Sequence, residues 1–313
     1  MRPRRRPARP RWRHAIRTGG RPAGRFWVAR RATRSYDRRP RHDRHRPVLT
    51  APRLLFLVAA LLLAGCATGP TPPDKMSDLE LTWFKAETAV PTALGKGVAL
   101  MGDPDRKALL EGAPHKFPVV VYLHGCTGIA DEDRDLMRAL AKAGYVVVAP
   151  DSMARKFRPL QCSSWYKEGG YNLFVFDFRQ AEINFALQQM VASKWADWDN
   201  LFLVGVSEGG LAAAHFRGDV FRARVITQWT CHGSTWVRGI DGPEDTPVLA
   251  IVRHDDPWYD KDGSQQAGDC GAYFGPKRPG SRSVVLEKGH GHSVIGDDSV
   301  VRQIVEFLDR NRK

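Results

Sequence analysis

The most constraining feature of this sequence is the ten-residue stretch 201–210, LFLVGVSEGG. An apolar run typical of a buried strand ends in Gly-Val-Ser-Glu-Gly, and the small residues 211–214 that follow are typical of a helix. The chain must therefore turn sharply at Ser207, and Gly205 and Gly209 leave room for strained backbone there. Because the helix begins just after Ser207, its unpaired N–H groups lie where negative charge on a reacting oxygen could be held.

Apolar segments with strand and helix patterns alternate along the rest of the chain. The predicted strands cover 79–85, 97–101, 118–123, 145–149, 200–204, 225–229, 247–252 and 283–286. The predicted helices cover 131–143, 177–192, 208–216 and 300–310. Short continuous apolar strands between helices are typical of a mostly parallel sheet with helices on its faces, so we predict one α/β domain over 78–313.

Candidate partners for Ser207 follow two later predicted strands. Acyl transfer by a serine needs a histidine base and an acid that orients it. For the acid we favour Asp256 over Asp255, with a simple turn-capping role as the alternative. For the base we favour His292 over His290, because the Gly-x-Gly-His arrangement lets the loop bend back toward the serine. The His-x-His pair could instead bind a metal, but no nearby ligand pattern completes a site, and we predict none.

Donors for a developing oxyanion are predicted from the segment HGCTG at 124–128, which follows the strand at 118–123. The backbone N–H groups of Cys126 and Glu208 are the candidate pair. For His124 we favour a structural role that holds this loop in place.

Five aromatic residues fall on loops or strand ends near the predicted site, where they could line an apolar pocket or serve ordinary packing. They are Trp165, Tyr166, Trp229, Trp236 and Trp258.

Charge is distributed unevenly along the chain. The first 65 residues carry nineteen arginines and two acidic residues, a net +17, which leaves −3 for the rest of a chain whose formal net charge is +14. Residues 1–47 lack hydrophobic periodicity and are predicted to be a disordered extension. This extension is either an arm for an anionic surface or a segment that is not translated because synthesis starts near Val48. The slightly acidic remainder excludes nucleic acid from our predicted partners.

A short apolar run at 54–63 follows Arg53 and ends in Leu-Ala-Gly before Cys66. A basic flank, a short apolar run and small residues are typical of a secretory signal, with a buried helix as the alternative. The ending resembles the lipobox of bacterial lipoproteins, which implies cleavage before Cys66 and a lipid on its sulfur. We therefore predict a signal peptide over 48–65, a tether over 66–77 and a lipid-anchored envelope protein. By the same resemblance Ala67 favours the outer membrane, facing the periplasm.

The order of motifs carries a family resemblance. The motifs are HGCTG at 124–128, PDS at 150–152, GVSEG at 205–209, DDP at 255–257 and GHGH at 289–292. Over about residues 95–310 they resemble the α/β-hydrolase superfamily, and within it the dienelactone-hydrolase-like family. The resemblance implies the α/β-hydrolase fold and hydrolysis by Ser207, Asp256 and His292. Dienelactone hydrolases carry a cysteine nucleophile where this chain has Ser207, which favours a carboxylesterase.

Two further expectations concern the site's surroundings. The segment between the predicted strands at 225–229 and 247–252 is short, so little or no cap is expected. In the implied fold, neighbouring strands bring Cys126 beside Cys162 and Cys231 beside Cys270, which predicts two disulfides. Four free buried thiols are the alternative.

The predicted function is a serine hydrolase that cleaves small-molecule carboxylic esters. No glycine-rich phosphate loop or dinucleotide fingerprint is present, so no cofactor is expected. A serine peptidase or amidase on the same fold is one alternative, because the same residues cleave both bonds. A non-catalytic binding lipoprotein is the other, although the complete set of serine, acid and histidine argues against it.

Overall fold

A central sheet of eight strands organises the part of the chain that the computed structural model describes, residues 72–95, 97–233, 237–258, 267–275, 278–287 and 291–313. The helices are α1 Asp78–Phe84, α2 Pro104–Glu111, α3 Asp131–Lys142, α4 Phe174–Val191, α5 Glu208–His215 and α6 Asp298–Arg310. The strands are β1 Glu87–Ala89, β2 Val98–Leu100, β3 Phe117–Leu123, β4 Val146–Ala149, β5 Cys162–Ser163, β6 Glu168–Gly169, β7 Ala196–Val206, β8 Ala223–Thr227, β9 Val248–Arg253 and β10 Arg282–Leu286.

The strand order of the central sheet is β10-β9-β8-β7-β3-β4-β1-β2. Neighbours from β10 to β4 are parallel, whereas β1 pairs antiparallel with both β4 and β2 at one edge. Strands β5 and β6 form a separate two-stranded hairpin. The predicted fold class, a mostly parallel sheet flanked by helices, is confirmed.

Strand β3 shows why continuous apolar runs become central strands here. All seven of its residues are buried. Val120 and Tyr122 pack in the core layer that includes α3 and α6, whereas Val119 and Val121 pack in the opposite layer with α4 and α5. Alternate side chains point to opposite faces, so a strand covered on both faces must be apolar throughout.

The predicted strand over 79–85 is wrong, because α1 covers most of it. Ser77 caps this helix: its Oγ accepts from the N–H of Glu80 at 3.3 Å, and the Glu80 carboxylate accepts from the N–H of Ser77 at 2.8 Å. This reciprocal pair satisfies backbone N–H groups that a helix start leaves open. The antiparallel edge is formed by β1, which the sequence did not predict, and by β2, which lies within the predicted strand over 97–101.

The described chain begins before residue 78. Residues Pro73–Lys75 form a single 3-10 turn, and Met76 is buried. The predicted extension, the signal peptide and Cys66 lie outside the described residues. Within the described part of the chain, we find no helix with both the length and the apolar character needed to cross a membrane.

Candidate active site

Ser207 lies on a strained turn between β7 and α5. Its φ of 54° and ψ of −114° are unusual for a residue with a side chain. Both flanking glycines are required by close backbone contact: a Cβ on Gly205 would lie 2.1 Å from the Gly209 oxygen, and one on Gly209 would lie 2.0 Å from the Leu123 oxygen. The Ser207 N–H donates to the Thr227 oxygen at 2.9 Å. The turn therefore presents the serine at the carboxyl end of the parallel sheet.

A hydrogen-bonded chain connects Ser207 to a histidine and a carboxylate. The Nε2 of His292 is 2.9 Å from the Ser207 Oγ, and its Nδ1 is 2.6 Å from the Oδ2 of Asp256. Asp256 is completely buried, and its Oδ1 accepts from the Trp258 N–H at 2.9 Å. The imidazole is thus oriented by the carboxylate on one side and can take the serine proton on the other.

The structure brings together the three favoured residues from loops that follow β7, β9 and β10. Asp255, the alternative acid, has a buried Oδ1 with no hydrogen-bond partner among the described residues. His290, the alternative base, lies outside the described residues. No group of three or more potential metal ligands occurs in the part of the chain that the structure describes.

Cys126 and Glu208, whose backbone N–H groups are the predicted oxyanion donors, both lie close to Ser207. Both residues line one cavity with Ser207. A Cβ on Gly125 would be 3.6 Å from the Ser207 Cβ, so the loop after β3 packs directly against the serine. Glu208 is the first residue of α5, where an N–H has no partner within the helix. These two donors can stabilise negative charge on an oxygen bonded to a carbon that Ser207 attacks.

His124 holds the loop after β3 in place. Its Nδ1 is 2.7 Å from the Gly125 oxygen, and its Nε2 accepts from the Ser152 N–H at 3.0 Å. Complete burial, together with the nearby Arg179 guanidinium, holds the pKa of His124 well below its usual range. A neutral imidazole with both nitrogens engaged fits the structural role expected for it.

A buried ion cluster, which sequence reasoning missed, lies behind the serine. It consists of Arg155, Arg158, Arg179, Glu182 and Glu208. Arg179 is completely buried and donates to the His124 oxygen at 2.9 Å and to Glu182 at 3.2 Å. Arg158 donates to Glu208 at 2.7 Å, and Arg155 donates to Glu182 at 2.7 Å.

The ion cluster affects the residue that follows the nucleophile. Burial raises the pKa of Glu208, and the cations Arg179 and Arg158 oppose that rise. Because the Glu208 side chain is tied to Arg158, the first turn of α5 is fixed against the segment after β4. The position of the Glu208 N–H therefore depends on contacts that are far apart in sequence.

Two disulfides join the four described cysteines in the predicted pairs. Cys126 is bonded to Cys162 with a Cα–Cα distance of 6.0 Å, and Cys231 to Cys270 with a distance of 4.9 Å. The first bond connects the loop after β3 to the β5–β6 hairpin. It therefore restrains the N–H of Cys126 next to Ser207.

Two cavities meet at Ser207 and share Cys126 and Trp258. The first, the apolar cavity, has a volume of about 180 Å³. Its lining includes Gln161, Gly169, Gly170, Leu173, Phe176, Leu211, Trp229 and Val237. The second, the polar cavity, has a volume of about 250 Å³. Its lining includes Thr127, Glu132, Asp133, Ser164, Lys167, Gln228, His292 and Ser293.

Two of the five aromatic residues that could line a pocket or serve ordinary packing do line a cavity at Ser207. Trp229 and Trp258 line the apolar cavity, and the Trp258 ring also packs 5.3 Å from the His292 ring. Trp165 and Tyr166 instead lie at the exposed tip of the β5–β6 hairpin, because that hairpin carries them away from the sheet. Trp236 lies outside the described residues.

The strand order, the serine turn after β7 and the later acid and histidine together define an α/β-hydrolase fold. Residues 107–213, from α2 into α5, match the model of the Dienelactone hydrolase family. The family resemblance read from the motifs is thus confirmed over this segment, which contains His124, Cys126 and Ser207. This match indicates that the protein is a hydrolase.

Solved structures with similar folds have low sequence identity to this chain, and no curated protein matches it in sequence. Est1E from Butyrivibrio proteoclasticus is 13% identical, with a TM-score of 0.45, over 72% of this chain and 93% of its own. A carboxylesterase from Bacillus cereus is 17% identical, with a TM-score of 0.45, over 62% and 89%. P91, a dienelactone hydrolase-like promiscuous phosphotriesterase from metagenomic libraries, is 19% identical, with a TM-score of 0.45, over 64% and 89%.

Proposed function

We propose that this protein is a serine carboxylesterase that works through an acyl-enzyme on Ser207. The observation that carries the proposal is the hydrogen-bonded chain from Asp256 through His292 to Ser207, with the serine on a strained turn. His292 removes the Ser207 proton as Oγ attacks the ester carbonyl carbon. The N–H groups of Cys126 and Glu208 stabilise the tetrahedral oxyanion.

The second half of the cycle uses the same residues. His292 passes its proton to the departing alkoxide as the carbon–oxygen bond breaks, which leaves the acyl group on Ser207. Water then attacks the acyl carbon while His292 removes its proton. Collapse of the second tetrahedral intermediate releases the acid and returns the proton to Ser207. Buried Asp256 orients the imidazole and stabilises its charged form throughout.

The two cavities suggest how an ester is oriented. The alcohol must leave on the side of His292, because that residue protonates it. His292 lines the polar cavity, so we assign the alcohol to that cavity and the acyl group to the apolar cavity. An uncharged acyl chain or aryl group suits the lining by Trp229, Phe176 and Leu211.

A fluorophosphonate probe tests the nucleophile. We expect one adduct, located on Ser207 by mass mapping, because only a serine with an adjacent base attacks such a phosphorus centre readily. Labelled protein should lose activity against a series of p-nitrophenyl esters of increasing acyl length. An unlabelled Ser207 in protein that hydrolyses those esters would contradict the proposal. Hydrolysis of matched anilides faster than esters would instead support the amidase alternative.

We further propose that the protein is exported and anchored through a lipid on Cys66, which rests on the apolar run and small residues before that cysteine. The mature chain is expected to start at Cys66 with acyl mass added, and Cys66→Ser is expected to abolish that addition. Mass spectrometry of the N-terminal peptide from membrane fractions makes the measurement. A chain that retains residues 1–47 and an unmodified Cys66 would contradict it.

A further inference from the structure

Exposed apolar side chains are concentrated in one segment of the chain. Of the twelve large hydrophobic side chains that are exposed among the described residues, eight lie between residues 153 and 174. Six of them form what we call the docking patch: Phe157, Leu160, Trp165, Tyr166, Tyr171 and Leu173. Trp165 is 87% exposed, and Tyr166 is 69% exposed. Such a concentration of apolar groups in contact with water marks an interaction surface.

The docking patch is built on a well-bonded scaffold. Strand β5 pairs with β6, and Cys162 of β5 is bonded to Cys126. The Gln161 oxygen accepts from the Gly170 N–H at 3.0 Å, and the Asn172 side chain donates to the Leu160 oxygen at 2.7 Å. These bonds present Trp165 and Tyr166 on a defined hairpin, so their exposure is part of the folded structure.

The docking patch is continuous with the mouths of both cavities. Leu173 belongs to the patch and also lines the apolar cavity, together with Gly169 and Gly170 of the same segment. Ser164 and Lys167, beside the hairpin tip, line the polar cavity. A surface that covers the patch therefore lies next to the entrance through which a substrate reaches Ser207.

The charges of the segment are nearly balanced. Arg155 and Arg158 are paired with Glu182 and Glu208 of the buried ion cluster. Among the charges that face solvent, Lys167 is followed directly by Glu168, and Lys156 lies near the acidic residues Asp78 and Glu80 of α1. A patch of tryptophan, tyrosine and leucine with little net charge fits the interface of a neutral phospholipid bilayer, where amphipathic aromatic rings are most stable.

The N-terminal end of the described chain lies against the same segment. The Nζ of Lys156 donates to the Met76 oxygen at 2.7 Å, and its N–H donates to the Asp78 carboxylate at 3.2 Å. Cys66 precedes Pro72 by six positions, a contour length of about 20 Å at most. A lipid anchor at Cys66, as proposed above, would keep the segment that carries the docking patch close to the membrane.

We propose that the docking patch binds the surface of a lipid bilayer, with Trp165 and Tyr166 inserted at the headgroup boundary. Docking places the cavity entrances at the lipid surface, so that esters held in the membrane reach Ser207 without passing through bulk water. Binding of this kind is driven by burial of apolar area, and we expect it to depend little on anionic lipid because the docking patch carries little net charge.

Quenching by brominated lipid tests the insertion without reference to catalysis. The full chain is reconstituted in dioleoyl phosphatidylcholine vesicles with and without dibrominated acyl chains. Trp165→Phe keeps an apolar ring but removes one of nine tryptophans. The difference in fluorescence between the wild type and this variant is the emission of Trp165. We expect brominated lipid to quench that emission by about half or more, because the ring lies at the headgroup boundary. Equal quenching in the two proteins would overturn the proposal.

A substrate comparison tests the role of docking. Trp165→Ser combined with Tyr166→Ser is expected to lower hydrolysis of a vesicle-bound ester about tenfold, because apolar burial drives the association. Hydrolysis of a short water-soluble ester should stay within about twofold. The matched control is Val191→Ser, which changes another exposed apolar residue, at the end of α4, and should alter neither rate.

An equal loss on both esters, or no loss on either, would overturn the docking role. Shielding of Trp165 in vesicle-free solution that grows with protein concentration would assign the patch to a second copy of the chain and overturn the proposal. If the wild-type protein hydrolyses neither ester, the proposed esterase fails, but the quenching measurement still decides whether the patch binds lipid.

Discussion

Ser207→Ala is expected to lower kcat/KM for a p-nitrophenyl ester by about 10³-fold or more, because it removes the atom that forms the acyl-enzyme. His292→Ala is expected to cause a similar loss, since the 2.9 Å contact to the serine Oγ supplies the base. Asp256→Asn should have a similar or somewhat smaller effect. The measurement is steady-state kinetics on purified variants whose folding is checked by circular dichroism.

These residues act as one unit, so their effects should not add. The Ser207→Ala/His292→Ala double variant is expected to be about as inactive as either single variant. Asp255→Asn is the matched control for Asp256→Asn, because it changes the neighbouring carboxylate and should leave the rate within a few-fold. Full activity in Ser207→Ala would refute the esterase proposal. Inactive His290→Ala beside active His292→Ala would correct only the assignment of the base.

Local patterns were sufficient to predict the serine turn and its neighbouring strands. Gly205 and Gly209 are needed because the backbones of β7, α5 and the loop after β3 approach one another, and that requirement is visible in the sequence. Continuous apolar runs predicted β3, β4, β8 and β9, since strands buried on both faces contain few polar residues. Because these strands were predicted to be parallel, the site residues that follow them were expected at the same edge of the sheet.

The sequence predictions failed where the local residue pattern did not match the environment of those residues in the folded protein. Helix α1 has the apolar content of a strand, and the signal that distinguishes it is the Ser77 to Glu80 capping pair at its start. Trp165 and Tyr166 were candidates for a pocket lining or for ordinary packing because they fall on a loop near the predicted site, yet the hairpin exposes them. Hydrophobicity alone cannot distinguish a side chain that packs inside from one that faces a partner.

The buried ion cluster could not be predicted from sequence, because its members are distant in the chain. Arg158 and Glu208 are fifty residues apart, and each looks like an ordinary surface charge in its local context. Their burial follows only when α4, α5 and the segment after β4 converge behind Ser207. The cluster also shows that the nucleophile turn is supported by charges as well as by apolar packing.

Arg179→Met is expected to lower the free energy of unfolding by about 3–5 kcal/mol, because it removes one of the two cations that contact each of the buried carboxylates Glu182 and Glu208. Arg179 is completely buried and lies 3.2 Å from Glu182 and 3.7 Å from Glu208. Burial already raises the pKa of Glu208, and loss of Arg179 should raise it further. The measurement is urea unfolding of the variant and the wild type.

The pH dependence of this loss has a definite sign. A carboxyl group whose pKa is raised in the folded state stabilises that state when protonated, and this contribution disappears as pH rises through the raised pKa. The deficit of Arg179→Met should therefore be smaller at about pH 5 than at about pH 8. Arg217→Met is the control, since that arginine pairs with Asp241 but its side chain is 85% exposed. It should be nearly neutral at both pH values. A deficit that does not change with pH would show that Arg179 stabilises the fold through packing of its side chain and not through its charge.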